Sequence, residues 1–417
     1  MINNSKYEEI INRCESELED RFKEFDEIRK INQHKIIKAM QDVQLSHADF
    51  HWTTGYGYAD IGREKVEKIY SKIFKSEDAL VRPNIASGTH ALALTLEALL
   101  LPGDEMLSIS GRPYDTLQKV IGITGNEVGN LREYGISYEE LELIDGKIDI
   151  SGIESKVKNN TKLILIQRSM GYTARRAHTI SEIELAIKKV RKINKDIIIM
   201  VDNCYGEFTS IYEPIEIGAD IAVGSLIKNP GGGISLSGGY IVGDEELIER
   251  CANKLTAPGL CKDCGLTFGM TRPTLQGLFY APIAVNNALK GAVLIGKVFS
   301  ELGFKTIPSP EDIRSDIVQG IIFGNPESVI SFCQAIQKAS AVDSHVKPYP
   351  WEMPGYEDKV IMAAGGFVDG SSIEISADGP LRDPYMAFYQ GGVSYDQCKM
   401  ALGYALQDLD SIGVLKF

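Results

Sequence analysis

Three stretches of the sequence combine residue types that can bind and activate a charged ligand. In NIASGTHALALTLEALL (84–100) a strand-like run ends, Ser87, Gly88 and Thr89 follow, and an amphipathic helix begins. Backbone N–H groups and the positive end of a helix dipole make an anion site there, and the Ser and Thr hydroxyls add donors. The same residues also read as an ordinary N-cap. In IIIMVDNCYGEF (197–208), Asp202 closes a very apolar strand. A carboxylate there is costly unless it pairs with a cation, or it caps the following turn. In DIAVGSLIKNPGGGISLSGGYIVG (220–243), Lys228 follows a buried strand and precedes three glycines. A desolvated Lys has a lowered pKa, and its neutral amine attacks carbonyls; the glycines let backbone approach a bulky planar group. A surface-loop Lys is the plain alternative.

The order of these features narrows the chemistry. An anion loop, an Asp after a strand, and a Lys 228 − 202 = 26 residues later suit pyridoxal phosphate. That cofactor needs a phosphate cradle, an acid that keeps its pyridine nitrogen protonated, and a Lys for a Schiff base. Ser225 can add a hydroxyl to the phosphate. Tyr114, in GRPYDT (111–116), opens a helix at a comparable strand end and can stack on the ring, unless it is a core aromatic. His90 packs under the cofactor on this reading. In QRSMGYTARRAH (167–178), Arg168, Tyr172, Arg175 and Arg176 stand at the same edge, and an anion role falls to one of the arginines. Cys261 and Cys264 form a CxxC with no second pair or His at zinc spacing, so no metal site is expected. No GxxxxGK[ST] occurs, and no GxGxxG in a Rossmann context.

The elements that must position these residues alternate. Helical patterns cover 63–75, 88–100, 114–123, 180–194 and 244–254, with apolar runs at 79–81, 106–109, 163–166, 197–201 and 221–223. Continuous apolar strands between helices predict an α/β fold with a mainly parallel sheet covered on both faces and ligands at the strands' carboxyl ends. A long helical stretch at 271–302 leads to a smaller α+β lobe, with strands at 317–324, 359–366 and 371–376 and helices at 326–340 and 394–412. An apolar stripe at 4–28 predicts a helix that lies on the body or on a partner subunit. The aromatic, Gly-rich stretch 48–62 reads as an ordered loop. The expected division is 1–62 as N-terminal helix and interface arm, 63–290 as the large domain and 291–417 as the small one.

Composition sets the outer bounds. The 417 residues carry 44 Lys plus Arg against 57 Asp plus Glu, a net charge of −13, which argues against nucleic acid or anionic membranes as partners. No stretch approaches the ~20 apolar residues of a membrane helix. The charged N-terminus has no signal core, and seven scattered Cys read as reduced thiols, so a cytoplasmic location is expected.

SGTHAL, VDNCYGEF, GSLIKNPGGG and IEISADGPLRDPY, in this order, resemble the methionine gamma-lyase-like or aluminium-resistance proteins. That group lies in the Cys/Met metabolism superfamily of fold-type I, aspartate aminotransferase-like pyridoxal-phosphate enzymes. The resemblance covers nearly the whole chain. It implies that Lys228 carries the cofactor, Asp202 partners the pyridine nitrogen, Ser87, Gly88, Thr89 and Ser225 hold the phosphate, and Tyr114 stacks on the ring. It also implies a homodimer or homotetramer with shared sites, in which Tyr56 and Tyr58 reach the neighbour's phosphate. The implied reaction is carbon–sulfur elimination from a sulfur amino acid. The alternatives are a transferase, a racemase, an aminotransferase, or a cofactor-binding stress protein with little turnover. Two positions depart from better-studied lyases. Their loop Tyr-x-Arg is Tyr58, Ala59, Asp60 here, and their carboxylate-binding Arg falls near Glu374. Arg382 is the expected substitute, with Arg168 and Arg176 as rivals.

Overall fold

The computed structural model describes residues 5–415; residues 1–4 and 416–417, which the expected first and last segments include, lie outside the described residues. Seven strands form the large sheet: β1 (Asp78–Arg82), β2 (Glu105–Ser108), β3 (Ser137–Glu140), β4 (Thr161–Gln167), β5 (Ile198–Asp202), β6 (Ile221–Ser225) and β7 (Gly239–Gly243). Their order is β1-β7-β6-β5-β4-β2-β3. Only β7 runs against its neighbours; the other pairings are parallel. The two-sided burial follows from strand periodicity. In β4, Leu163 and Leu165 enter one core with Leu92, Leu96 and Ile248, while Ile164 and Ile166 enter the other with Ile183, Ile187 and Val190. The helix supplying the second face, Ile180–Ile193, starts on a capping box of Thr179 and Glu182.

The second sheet is antiparallel: β8 (Lys305–Ile307), β9 (Val318–Ile322), β10 (Val360–Ala364), β11 (Ser376–Pro380) and β12 (Met386–Gln390), ordered β10-β11-β12-β9-β8. The helix Pro326–Lys338 packs on it and Tyr395–Ser411 packs on that helix, with Phe332, Leu402 and Leu406 in their shared core. Its other face turns Val318 and Phe388 toward Met170 of the large lobe.

Several expectations change. The strand expected at 371–376 is displaced: β11 begins at Ser376, and Glu374 accepts the Phe367 and Val368 N–H groups at 2.7 and 2.9 Å, pinning a loop. The domain boundary expected at 290 falls inside the helix Thr271–Glu301. That helix is long and apolar enough to cross a membrane, contrary to the sequence expectation, yet 72% of its most apolar window is buried within the protein, as befits a core helix. The first helix is two, Ser5–Glu17 and Glu19–Asp42. Tyr7, Ile10, Ile11 and Cys14 lie in the chain's own core with the small-lobe helices, so this face needs no partner subunit.

Candidate active site

Parallel strands end where helices begin, and five such ends meet around one cavity of about 280 Å³. β5 ends at Asp202, β6 at Ser225 and β4 at Gln167, while Ser87 and Tyr114 N-cap the helices Gly88–Leu99 and Asp115–Ile121. Ser87, Gly88, Thr89, Tyr114, Asp202, Ser225 and Lys228 all line the cavity, so the sequence-expected cofactor set of this chain is gathered except for the two loop tyrosines.

Asp202 is 4% exposed. Its carboxylate accepts the Cys204 N–H at 3.1 Å, and it has no ion pair among the described residues. Burial pushes its pKa up, while Lys228 and the Cys204 contacts pull it down. Lys228 sits 4.0 Å from the centroid of the Tyr205 ring. Tyr205 takes φ +67°, a conformation bulky residues rarely adopt, and this turn places its ring in the cavity. The lowered Lys228 pKa expected from burial is not what the structure gives. Burial pulls it down, the anionic forms of its neighbours, the Asp202 carboxylate among them, push it up, and the net direction is above the ordinary lysine value.

The helix Gly88–Leu99 presents its N-terminus to the cavity. Ser87 Oγ accepts the His90 N–H at 3.0 Å, which leaves its own O–H free to donate. A Cβ on Gly88 would lie 3.4 Å from both Cys204 Sγ and Ser225 Cβ, so a larger side chain would fill the cradle. Thr89 Oγ1 is 2.9 Å from the Tyr114 hydroxyl. Burial raises the pKa of that phenol, so it stays protonated. His90 is not under the site; its Nδ1 accepts the Ala86 N–H at 2.9 Å.

Other expected residues go elsewhere. Arg168 is fully buried and donates to Ser315 Oγ, Asn203 Oδ1 and Thr209 Oγ1 at 3.0, 2.8 and 3.1 Å, so the structure corrects its substrate role to a structural one. Arg176 pairs with Glu182 at a helix start, and Arg175 donates to the Ser169 carbonyl at 2.6 Å. Arg382 pairs with Asp358 at 3.0 Å and stands 3.8 Å from Asp115, at the cavity rim rather than in its wall. Tyr56 and Tyr58 are 71% and 75% exposed and stand outside this cavity. Asp60, where related lyases carry Arg, instead caps the helix Ile61–Phe74. The three glycines after Lys228 face protein, not ligand: a Cβ on Gly232 would lie 2.5 Å from the Gly277 carbonyl oxygen, and one on Gly277 2.2 Å from that of Gly231. Cys261 and Cys264 are free, and no group of three potential metal ligands occurs among the described residues.

The sequence reading missed Gln167, Tyr205, Tyr356, Asp378 and Gln390 in the cavity wall. Gln167 had a signal, since it closes an apolar strand; its Oε1 accepts the Tyr114 N–H at 2.8 Å.

A mostly parallel seven-stranded sheet with one reversed strand, an antiparallel C-terminal lobe, and a lysine and an acid at adjoining strand ends define a fold-type I pyridoxal-phosphate enzyme fold. The same fold is seen in the pyridoxal-5'-phosphate dependent protein YhfS of Escherichia coli, at TM-score 0.62 and 17% identity over 93% of this chain and 97% of that one. The chain belongs to the methionine gamma-lyase family, whose model matches residues 7–410. Uncharacterized protein YnbB of Bacillus subtilis is 46% identical over 389 residues, 93% of this chain and 92% of the relative. A carbon-sulfur lyase involved in aluminum resistance from Clostridium novyi superposes at TM-score 0.93 with 45% identity, covering 97% and 96% of the two chains. A Listeria monocytogenes protein, solved as a proposed cystathionine beta-lyase involved in aluminum resistance, gives TM-score 0.93 and 44% identity over 96% and 99%.

Proposed function

We propose that the protein is a pyridoxal-phosphate-dependent lyase that breaks a carbon–sulfur bond in an amino acid. The observation that carries this reading is Asp202: a buried carboxylate without an ion pair, in a cavity that also holds Lys228. Such a carboxylate calls for a cation, and a protonated pyridine nitrogen is one. The donor set fits the rest of the group. The helix N-terminus, Ser87 and Ser225 suit a phosphate, Tyr114 a ring face, and Lys228 an aldehyde.

When bound, the cofactor supplies a sink for the electrons left on Cα. Asp202 holds the proton on the ring nitrogen. Lys228 Nζ, over the Tyr205 ring, takes the Cα proton and returns it. Tyr114, kept protonated and held by Thr89, has an O–H that can donate a hydrogen bond to a departing sulfur. The names of the Clostridium novyi and Listeria monocytogenes relatives support the carbon–sulfur reading. The assembly we propose is a homodimer or homotetramer in the cytoplasm, in which exposed Trp52, Tyr56, Tyr58 and Phe268 are covered and the loop tyrosines reach the neighbour's phosphate.

Purified holoenzyme is expected to release a keto acid and a thiol from at least one of L-cystathionine, L-methionine and L-cysteine. Lys228→Ala is expected to fold and to retain no cofactor after borohydride reduction and denaturation. A wild type without a cofactor band after reconstitution, or a variant still labelled by borohydride, refutes the reading.

A further inference from the structure

One wall of the cavity is a loop of the small lobe with solvent on its other side. Trp351 and Val360 exchange N–H···O bonds at 3.1 Å, so the residues between them form a loop closed at its base. Its trailing limb is tied to the small lobe: Lys359 accepts the Leu381 N–H at 2.8 Å, and Asp358 pairs with Arg382 at 3.0 Å. Pro354 stiffens the tip, and Gly355 turns it at φ +95°, a conformation open to glycine. Trp351, Glu352, Pro354 and Glu357 are exposed, while Tyr356 turns inward and lines the cavity.

The tip rests on the large lobe without being bonded to it. The Tyr356 ring lies 5.6 Å from that of Tyr172, an aromatic contact across the two lobes. A Cβ on Gly355 would stand 2.7 Å from Thr116 Cγ2, so the tip touches the first turn of the helix Asp115–Ile121. Thr116 Oγ1 is 3.3 Å from Thr89 Oγ1, which puts the tip one side chain away from the cradle read as the phosphate site. Among the described residues no hydrogen bond joins 352–358 to the large lobe; the Tyr356 N–H is bonded within the loop, to the Met353 carbonyl. The charged tie is Arg382, which stands between Asp358 on the loop and Asp115 on the cavity rim, 3.8 Å from the latter. An exposed pair of that kind is weak. A stiff loop, bonded at its base and only in contact at its tip, opens locally far below the cost of unfolding the lobe.

We propose that the loop 351–360 is a cover of the cavity and that Tyr356 is its substrate-contacting residue. The loop lifts from Thr116 about the Trp351–Val360 bridge to admit an amino acid, then closes with the Tyr356 ring on the bound molecule and Arg382 as the latch between the lobes. This rests on the lyase reading, in which an amino acid must pass that wall to reach Lys228.

The test fixes the cover shut. The Cβ position of Gly355 lies 3.7 Å from Thr116 Cβ, within the span of about 3.5–4.5 Å that a disulfide requires. The double variant Thr116→Cys with Gly355→Cys is studied as holoenzyme, reduced and after oxidation by diamide, beside wild type treated alike. The probe is L-norleucine, which carries no group to eliminate, and the cofactor's visible band reports its arrival and departure in stopped flow. The oxidised variant is expected to bind norleucine at least about tenfold more slowly than its reduced form, and reductant is expected to restore the rate. A cross-linked form that binds at the reduced rate overturns the proposal, and so does a folded variant whose two thiols do not join. Cys at Gly355 is strained, so Tyr356→Ala supplies a second measurement with the loop backbone unaltered. Norleucine is expected to leave this variant at least about threefold faster than wild type, as loss of an aromatic contact implies, and to associate no more slowly. A smaller change in dissociation, or slower association, overturns the proposal. A wild-type holoenzyme whose visible band norleucine leaves unchanged sinks the lyase reading instead, and the proposal with it.

Discussion

Replacing Asp202 by Asn moves catalysis and stability in opposite directions. In the ligand-free protein, Asp202 is a buried acid whose pKa is raised, chiefly by desolvation. A raised carboxyl pKa means that the folded state holds its proton more tightly than the unfolded chain does. The contribution to stability is full below the unfolded pKa of about 4 and is lost as pH rises through the folded value. At pH 8 the charge is therefore a burden, and Asn removes it while its own carbonyl can still accept the Cys204 N–H. The apo variant should melt at or above the wild-type temperature. In the holoenzyme the sign reverses. An ion pair at hydrogen-bonding distance is worth roughly 5 kcal/mol at an effective dielectric of about 20, before desolvation is subtracted. Losing one preorganised charge in a site raises the barrier by about 3–4 kcal/mol, a fall in kcat of ~10²–10³. The assay pairs keto-acid release at saturating substrate with apo melting curves, and cofactor content is checked by absorbance. Near wild-type turnover refutes the pyridine role. An apo melting temperature several degrees below wild type shows instead that the carboxylate's charge stabilises the ligand-free fold.

Gly277→Ala should destabilise the protein by about 1–3 kcal/mol, because the added methyl meets the Gly231 carbonyl oxygen and the loop after Lys228 must move. It should also weaken cofactor retention, and an unchanged urea midpoint with full cofactor content counts against that packing. Arg382→Lys should shift stability by less than about 1 kcal/mol, since its pairing with Asp358 is 40% exposed and solvent-screened. Its KM should stay within about twofold of wild type; a tenfold rise would return the carboxylate role to Arg382.

The parts of the fold legible in the sequence were those with continuous chemistry. The apolar runs that became β4 and β5 were visible because both faces of each strand are buried. β3 was not, because its SYEE sequence lies at the sheet edge and lacks an apolar run. β7 offers only Tyr240, Ile241 and Val242 between glycines, and β12 lies close behind loop residues. In the site, Asp202, Lys228 and the Ser87 cap were legible because each terminates or follows an element. Where the arginines point was not, since the burial of Arg168 depends on Ser315, 147 residues away in sequence. Asp378 was hidden for a related reason. It lines a cavity between lobes that no local pattern describes.

The contact between the first and last helices has a consequence for biosynthesis. Lys6 and Tyr7 both bond to Asp410, and Tyr395 and Lys399 both bond to Glu15. A helix near the start of the described residues thus docks on one near their end, and Lys6 reaches Asp410 across 404 residues. Domains otherwise fold in order of synthesis. Here the apolar stripe of Tyr7, Ile10, Ile11 and Cys14 must wait, exposed or shielded by another molecule, until the helices Thr271–Glu301 and Tyr395–Ser411 that cover it have been made. The closing of that long loop belongs to the end of folding, and the small lobe is complete only when the helices Ser5–Glu17 and Tyr395–Ser411 meet.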